Sequence, residues 1–255
     1  MSRNSIQLVR NATLVIQYAG KKILLDPMFS PKGAFRSFAG IAPNPTIDLT
    51  GDAQDYIKGI DLVLVTHTHP DHFDEVAAAV LPKDIPLFHQ PADTAFFQEK
   101  GFVHAKAIEQ AVTWEGITIS RTGGQHGSGE ILERMGTVSG FVLQAANEPT
   151  VYMVGDSIWV EEVQAALQTF QPGIVVVNSG GAAFPGFESA PILMEETQAI
   201  QLVKASGQAV VIAVHMESLD HCLTTRASLR AAAEAAGIPV ERLIIPQDGE
   251  TVSLN

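Results

Sequence analysis

Cysteine is almost absent from this 255-residue chain, with Cys222 the single example. One thiol excludes an intramolecular disulfide framework and leaves no thiolate cluster for a structural zinc site, so any bound metal must rely on histidine and carboxylate. Cys222 itself reads as a buried small apolar residue, since nothing near it in sequence lowers a thiol pKa. Long apolar runs are missing too. Polar or charged residues interrupt every apolar stretch before about 18 residues accumulate, and the opening MSRNSIQLVRNATLVIQYAG holds no apolar segment of signal-peptide length. The expectation is a cytoplasmic protein with no membrane span. Positive charge is scarce, with 16 Lys and Arg against 28 Asp and Glu and a formal charge of −12. Such a balance repels a phosphate backbone and argues against nucleic acid as a partner. There is no repeat and no low-complexity tract.

Apolar residues are plentiful, at 46% of the chain, enough for a large core and for one domain over residues 1–255. Short runs of Val, Ile and Leu predict strands at Ile6–Leu8, Leu14–Tyr18, Lys22–Leu25, Leu62–Thr66, Ile117–Arg121, Thr137–Gln144, Val151–Val154, Ile174–Asn178, Val210–Val214, Leu243–Ile245 and Thr251–Leu254. Helical spacing predicts helices at Asp74–Leu81, Ala92–Lys100, Val160–Phe170, Met194–Ser206 and Thr225–Ala236. Tight connections at Ala19-Gly20 and Ala146–Pro149 read as hairpins, which requires mixed or antiparallel sheets. Strands followed by helices, and then roughly the same series again, fit an α/β class. A four-layer αββα sandwich of two mixed sheets flanked by helices is one arrangement that buries both inner faces. The Pro- and Gly-rich stretch Phe29–Asp48, with Phe29, Phe35 and Phe38 reading as exposed, is expected to be a mobile loop over the site, an oligomer contact or plain core packing.

The densest chemistry follows the apolar run Leu62–Val65: Thr66-His67-Thr68-His69-Pro70-Asp71-His72 places four metal-ligand types in six residues. His67 and His69, two apart, leave an extended segment on the same side and can meet one ion. Asp71 and His72 follow where the chain turns and can serve a second. Further ligand types recur at strand ends: His126 in a glycine-rich loop, Asp156 after Val151–Gly155, and His215 after Val210–Val214.

With these residues in view, the chain resembles the metallo-β-lactamase fold superfamily, whose His-x-His-x-Asp-His motif is complete at positions 67 to 72. Asp26-Pro27, His126, Gly155-Asp156 and His215 occur in that family's order, so the similarity spans nearly the whole chain. Within the superfamily it resembles compact metal-dependent hydrolases similar to the ascorbate-phosphate lactonases, departing from a common opening pattern with Asn11 in place of a Gly-His pair. The resemblance implies the αββα sandwich and two divalent ions. His67, His69 and His126 would hold one, Asp71, His72 and His215 the other, with Asp156 bridging and Asp26 buttressing the ligand loop. The full motif also favours hydrolysis, because iron oxidoreductases of the superfamily usually replace its second histidine with an acidic residue.

Nitrogen and oxygen donors suit Zn²⁺, although Mn²⁺ or Fe²⁺ would accept the same set. Two such ions would activate water against an electrophilic carbon or phosphorus, with Asp71 as the natural proton acceptor. The leading substrate class is a small carboxylic ester or lactone, phosphorylated or not. Alternatives are a phosphodiester and a non-catalytic metal-binding scaffold or sensor. His221 could approach metal or substrate, or simply bond a carboxylate, and Glu217 and Asp220 could orient His215 or sit in solvent. His89 and His104 lie outside the pattern and read as ordinary polar positions. A homo-oligomer is left open.

Overall fold

The computed structural model describes residues 4–254; residues 1–3 and 255, which the one-domain expectation includes, lie outside the described residues. The first half of the chain supplies β1 (Ser5–Arg10), β2 (Thr13–Tyr18), β3 (Lys21–Leu25), β4 (Leu62–Val65), β5 (Leu87–His89) and β6 (Ala105–Ala107). The second half supplies β7 (Ala111–Trp114), β8 (Ile117–Thr122), β9 (Gly140–Ala145), β10 (Val151–Met153), β11 (Ile174–Asn178), β12 (Val210–Val214), β13 (Leu243–Ile244) and β14 (Thr251–Ser253). They form two seven-stranded sheets, ordered β14-β1-β2-β3-β4-β5-β6 and β13-β12-β11-β10-β9-β8-β7. Each is mixed in the same way. Strands β1 to β3 and β7 to β10 pair antiparallel, through tight turns except between β8 and β9, where a longer loop carries a short helix, and the later strands of each half add parallel through helical crossovers. Strand β14 returns to close the first sheet beside β1.

Apolar runs that look continuous in sequence split by parity in space. Leu62 and Leu64 of β4 join Ile174 and Val176 of β11 in the core between the sheets. Val63 and Val65 face the other way, onto Phe73, Ala77 and Phe97 from the helical layer of α2 (Glu75–Val80) and α3 (Thr94–Glu99). Val175 and Val177 likewise face α5 (Glu161–Phe170), α6 (Glu196–Ala205) and α7 (Arg226–Ala235). The result is the four-layer αββα sandwich. Each fully buried aliphatic side chain contributes about 1.5–3 kcal/mol to it. Among the described residues no helix is long and apolar enough to cross a membrane.

Helix starts follow capping chemistry. Asp74 accepts a hydrogen bond from the Ala77 amide at 2.7 Å, and Thr225 caps α7 through the Ser228 amide at 3.0 Å. The helix expected from Met194 begins two residues late, because the Glu195 side chain caps it. Strands β5, β6 and β7 and the five- and six-residue helices α1 (Ala53–Ile57) and α4 (Glu130–Met135) were not expected from periodicity. They are too short to show a period, and Ala105-Lys106-Ala107 has no branched residue to signal a strand.

The loop over residues 29–48 also differs from expectation, because it is fastened rather than loose. Phe29 is buried and stacked on Tyr56, with ring centroids 6.5 Å apart, so it packs in the core. Phe35 and Phe38 are half-buried. The buried Arg10 guanidinium donates to the Met28, Ser30 and Ile47 carbonyls at 2.8–3.0 Å and ties both ends of the loop down.

Candidate metal centre

Strands β3 and β4 run parallel, β8 and β10 both run antiparallel to β9, and β10, β11 and β12 run parallel. Their C-terminal ends therefore share one edge of the sandwich. Asp26 follows β3, His67 to His72 follow β4, His126 follows β8, Asp156 follows β10 and His215 follows β12. Backbone conformation there is unusual: Asp26 and His215 both occupy the left-handed region, at φ 45° and 64°, a strain that the surrounding packing must hold. Glycine is required just before Asp156. At Gly155, with φ +73°, a Cβ would sit 2.5 Å from the Ser139 carbonyl oxygen.

Two donor groups converge, His67 with His69 and His126, and Asp71 with His72, Asp156 and His215, each with ligand atoms within 4.8 Å of one another. Asp156 touches both groups. Its Oδ2 lies 3.9 Å from His67 Nε2, 3.5 Å from His126 Nε2, 3.1 Å from His72 Nε2 and 3.8 Å from His215 Nε2. Asp71 Oδ2 lies 3.2 Å from His215 Nε2 and 3.7 Å from His72 Nε2. All seven are buried except His69, which is half-buried and opens toward the surface.

The outward sides of these residues are occupied. His72 Nδ1 pairs with Asp26 Oδ2 at 2.8 Å, and Asp26 also accepts from the Thr66 amide and hydroxyl, both at 2.7 Å. His126 Nδ1 donates to the Ile192 carbonyl at 2.8 Å, and Asn178 Nδ2 donates to Asp156 Oδ1 at 2.6 Å. These contacts leave the Nε2 lone pairs and one Asp156 oxygen facing inward. His72 Nε2 is buried and, although Asp156 Oδ2 lies 3.1 Å away, makes no well-aligned hydrogen bond among the described residues, the condition expected of a nitrogen shaped to receive a cation.

Electrostatics point the same way. Against the cost of burial, Asp156, Asp26 and Asp71 hold His72 up to about 10. His215 is also raised, overcoming burial through Asp156 and its bond to Asp71. His72 and His215 in turn keep buried Asp156 well below the usual carboxylate range. Burial, and then the neighbouring His72 and His69, push His67 well down, and burial lowers His126 to about 4. The ionised carboxylates thus hold protons on His72 and His215 while His67 and His126 stay neutral; a metal cation, bound with release of those protons, would answer the same negative field.

The cluster forms the floor of a cavity of about 280 Å³ whose walls include Phe38, Met135, Phe184, Ile192 and Leu193, with Arg36 and His221 as the polar groups outside the cluster. His221 is thus brought to the site. Glu217 is not: it is exposed and paired with Arg226, because at φ 63° its backbone turns it away from His215. Asp220 does not reach His215 either. It is buried and gathers the loop amides of Phe38, Ala39, Ile41 and Ala42 at 3.0–3.3 Å. Cys222 is half-buried rather than buried, its Sγ 3.8 Å from His215 Nδ1, and burial pushes the thiol up. His89 is buried on β5 against the Gln90 carbonyl, and His104 is exposed.

Sequence reasoning missed Asn178 and the role of Asn11. Asn178 ends an apolar strand as Asp156 and His215 do, so the strand-end rule, extended to amides, would have found it. Asn11, at φ 58°, donates from Nδ2 to the Asp71 carbonyl at 3.2 Å and accepts the His215 amide at 3.0 Å, tying together two residues of one donor group.

Residues 21–216 match the Beta-lactamase superfamily domain. The chain belongs to the beta-lactamase superfamily. Within that superfamily it is 36% identical over 253 residues to the UPF0173 protein YddR of Bacillus subtilis (strain 168), covering 97% of this chain and 98% of that one. A "possible metal-dependent hydrolase" from Veillonella parvula DSM 2008 superposes with TM-score 0.95 at 33% identity, over 99% of this chain and all of the other (100%). An isothiocyanate hydrolase from Delia radicum gut bacteria superposes with TM-score 0.91 at 38% identity, over 98% and 99% of the two chains. Alongside such relatives, this superfamily member is a metal-dependent hydrolase.

Proposed function

We propose that the chain holds two divalent metal ions, zinc by preference, and hydrolyses a small uncharged electrophile bearing an apolar group. The observation that carries this reading is the convergence of both donor groups on Asp156 Oδ2 beneath an apolar-walled cavity. His67, His69 and His126 would hold one ion, Asp71, His72 and His215 the other, and Asp156 both. When bound, such ions supply Lewis acidity, bringing the pKa of water toward neutrality and polarising an electrophile.

The protein residues do the rest. Asp26, Asn178 and the Ile192 carbonyl orient three of the ligands. Asp71, held below the usual carboxylate range by His72 and His215 despite its burial, would be ionised and would orient attacking water and take its proton. The cavity walls exclude bulk water and receive the apolar part of the substrate.

The 38% identical isothiocyanate hydrolase favours an isothiocyanate over other electrophiles. In that reaction water oxygen bonds to the central carbon, the carbon–nitrogen bond breaks, both water protons pass to nitrogen, and R–N=C=S with H₂O gives R–NH₂ and COS. A small carboxylic ester or lactone is the second reading, because the same uncharged walls accept it. Outside the ligand cluster, Arg36 is the cationic residue among the described lining residues, so a phosphorylated ester or a phosphodiester would depend on the ions themselves for neutralisation.

The test is turnover by metal-loaded protein of benzyl isothiocyanate, a γ-lactone and bis(p-nitrophenyl) phosphate, each repeated after chelation. Chelator-sensitive turnover of the first or second is expected. Turnover of the phosphodiester alone would overturn the proposed substrate class.

A further inference from the structure

His221 is the cavity's one uncommitted hydrogen-bonding ring. It is 5% exposed, yet neither ring nitrogen hydrogen-bonds to a described residue: Nδ1 is fully buried without a partner, and Nε2, not closed off in the same way, is the nitrogen left to meet a ligand in the cavity. Buried imidazoles are ordinarily bonded. Nothing about its surroundings is loose. The ring stands edge-on to Phe38, with centroids 5.1 Å apart, and tilted against Phe184 at 5.4 Å. Its carbonyl accepts the Ala183 amide at 3.0 Å. The preceding residue, Asp220, fastens the loop that carries Phe38, accepting from Asn44 Nδ2 at 2.8 Å as well as from the loop amides.

The fold thus holds a polar ring rigidly in an apolar wall, beside the ligand cluster, and leaves it without a protein partner. The geometry assigns His221 as a substrate-contacting residue that hydrogen-bonds the heteroatom of an uncharged electrophilic head, while the apolar substituent rests on Phe38 and Phe184. This rests on the hydrolase reading above and narrows its substrate to molecules with both parts. Burial lowers the His221 pKa, so the ring acts as a neutral donor or acceptor. An anionic head would instead be met by Arg36, the other polar wall residue.

The experiment compares wild-type, His221→Leu and His221→Gln proteins, each metal-loaded. Leucine has nearly the bulk of histidine without its nitrogens, and glutamine keeps a hydrogen-bonding group. Binding of N-benzylthiourea, a stable probe with the apolar group and the C=S head, is measured by calorimetry beside kcat/KM for benzyl isothiocyanate, metal content and Tm. His221→Leu is expected to weaken thiourea binding and lower kcat/KM about tenfold, the loss of one hydrogen bond. His221→Gln should recover part of both, with metal content and Tm unchanged throughout.

Equal affinity and turnover in wild type and His221→Leu would overturn the inference. So would loss of metal or a large Tm drop in both variants, which would make His221 structural. Wild-type protein that does not bind the thiourea also removes it. If wild-type protein binds the thiourea but does not turn over the isothiocyanate, the isothiocyanate reading fails while the binding difference still supports His221.

Discussion

Asp156 has one carboxylate oxygen on Asn178 and the other within 3.9 Å of four imidazoles, so its removal disturbs both donor groups at once. Asp156→Ala is expected to lower turnover by more than about 100-fold, exceeding the effect of residues that only buttress a ligand, and to reduce bound metal. Asp26→Asn and Asn178→Ala should keep the ligands and weaken metal affinity about 10- to 100-fold, measured by competition with a chelator. His89→Ala is the control. It should leave metal content unchanged while costing stability, because the ring is buried against Phe97. The proposed ligands were legible in sequence because ligand types were dense at 67–72 and recurred at strand ends. Their supports were not. Amides such as Asn178 carry no ligand signal, and the aim of Glu217 depends on a positive φ that sequence does not reveal for a non-glycine residue.

The strands that were legible are those whose parity separates two cores, as in β4 and β11. The three- and four-residue strands β5, β6 and β7 gave no period to read. The loop over residues 29–48 misled for a different reason: its Pro and Gly content suggested mobility, but its anchors, Arg10 and Asp220, come from distant parts of the chain. Asp220→Asn tests this strap. Hydrogen bonds from Ser37 and Asn44 and from loop amides outweigh burial and hold the Asp220 carboxyl far below its ordinary range. A carboxylate depressed in the folded state stabilises fully above its unfolded pKa, and that stability is lost as pH falls through the folded value. The stability deficit of Asp220→Asn should therefore be largest near neutral pH, about 1–3 kcal/mol, and shrink as pH drops below about 4. Chemical denaturation across that pH range measures it. A deficit unchanged between pH 7 and the acid limit of folding would mean that the ionised carboxylate is not the anchor.

Across the whole molecule, the two halves repeat one plan, and the cleft where their sheet ends meet collects donors from both. The 67–72 segment, with Asp26 buttressing it, comes from the first half, and His126, Asp156 and His215 come from the second. Bound metal would therefore cross-link the sheets. Chelation should lower Tm by roughly 10 °C, as expected when an ion present at about a thousand times its Kd is withdrawn from a chain of this size. Calorimetric scans with and without chelator would record the shift. The overall plan was legible because parity, hairpin length and the doubled series agree. Substrate identity was not, since the walls are built from loop residues without a motif, such as Phe38, Phe184 and His221. Metal content per chain by elemental mass spectrometry, on wild type and Asp156→Ala, decides whether these donors do what their geometry suggests. Two divalent ions in wild type and fewer in the variant is the predicted result; a wild-type chain that carries none and takes up neither zinc nor manganese would contradict it.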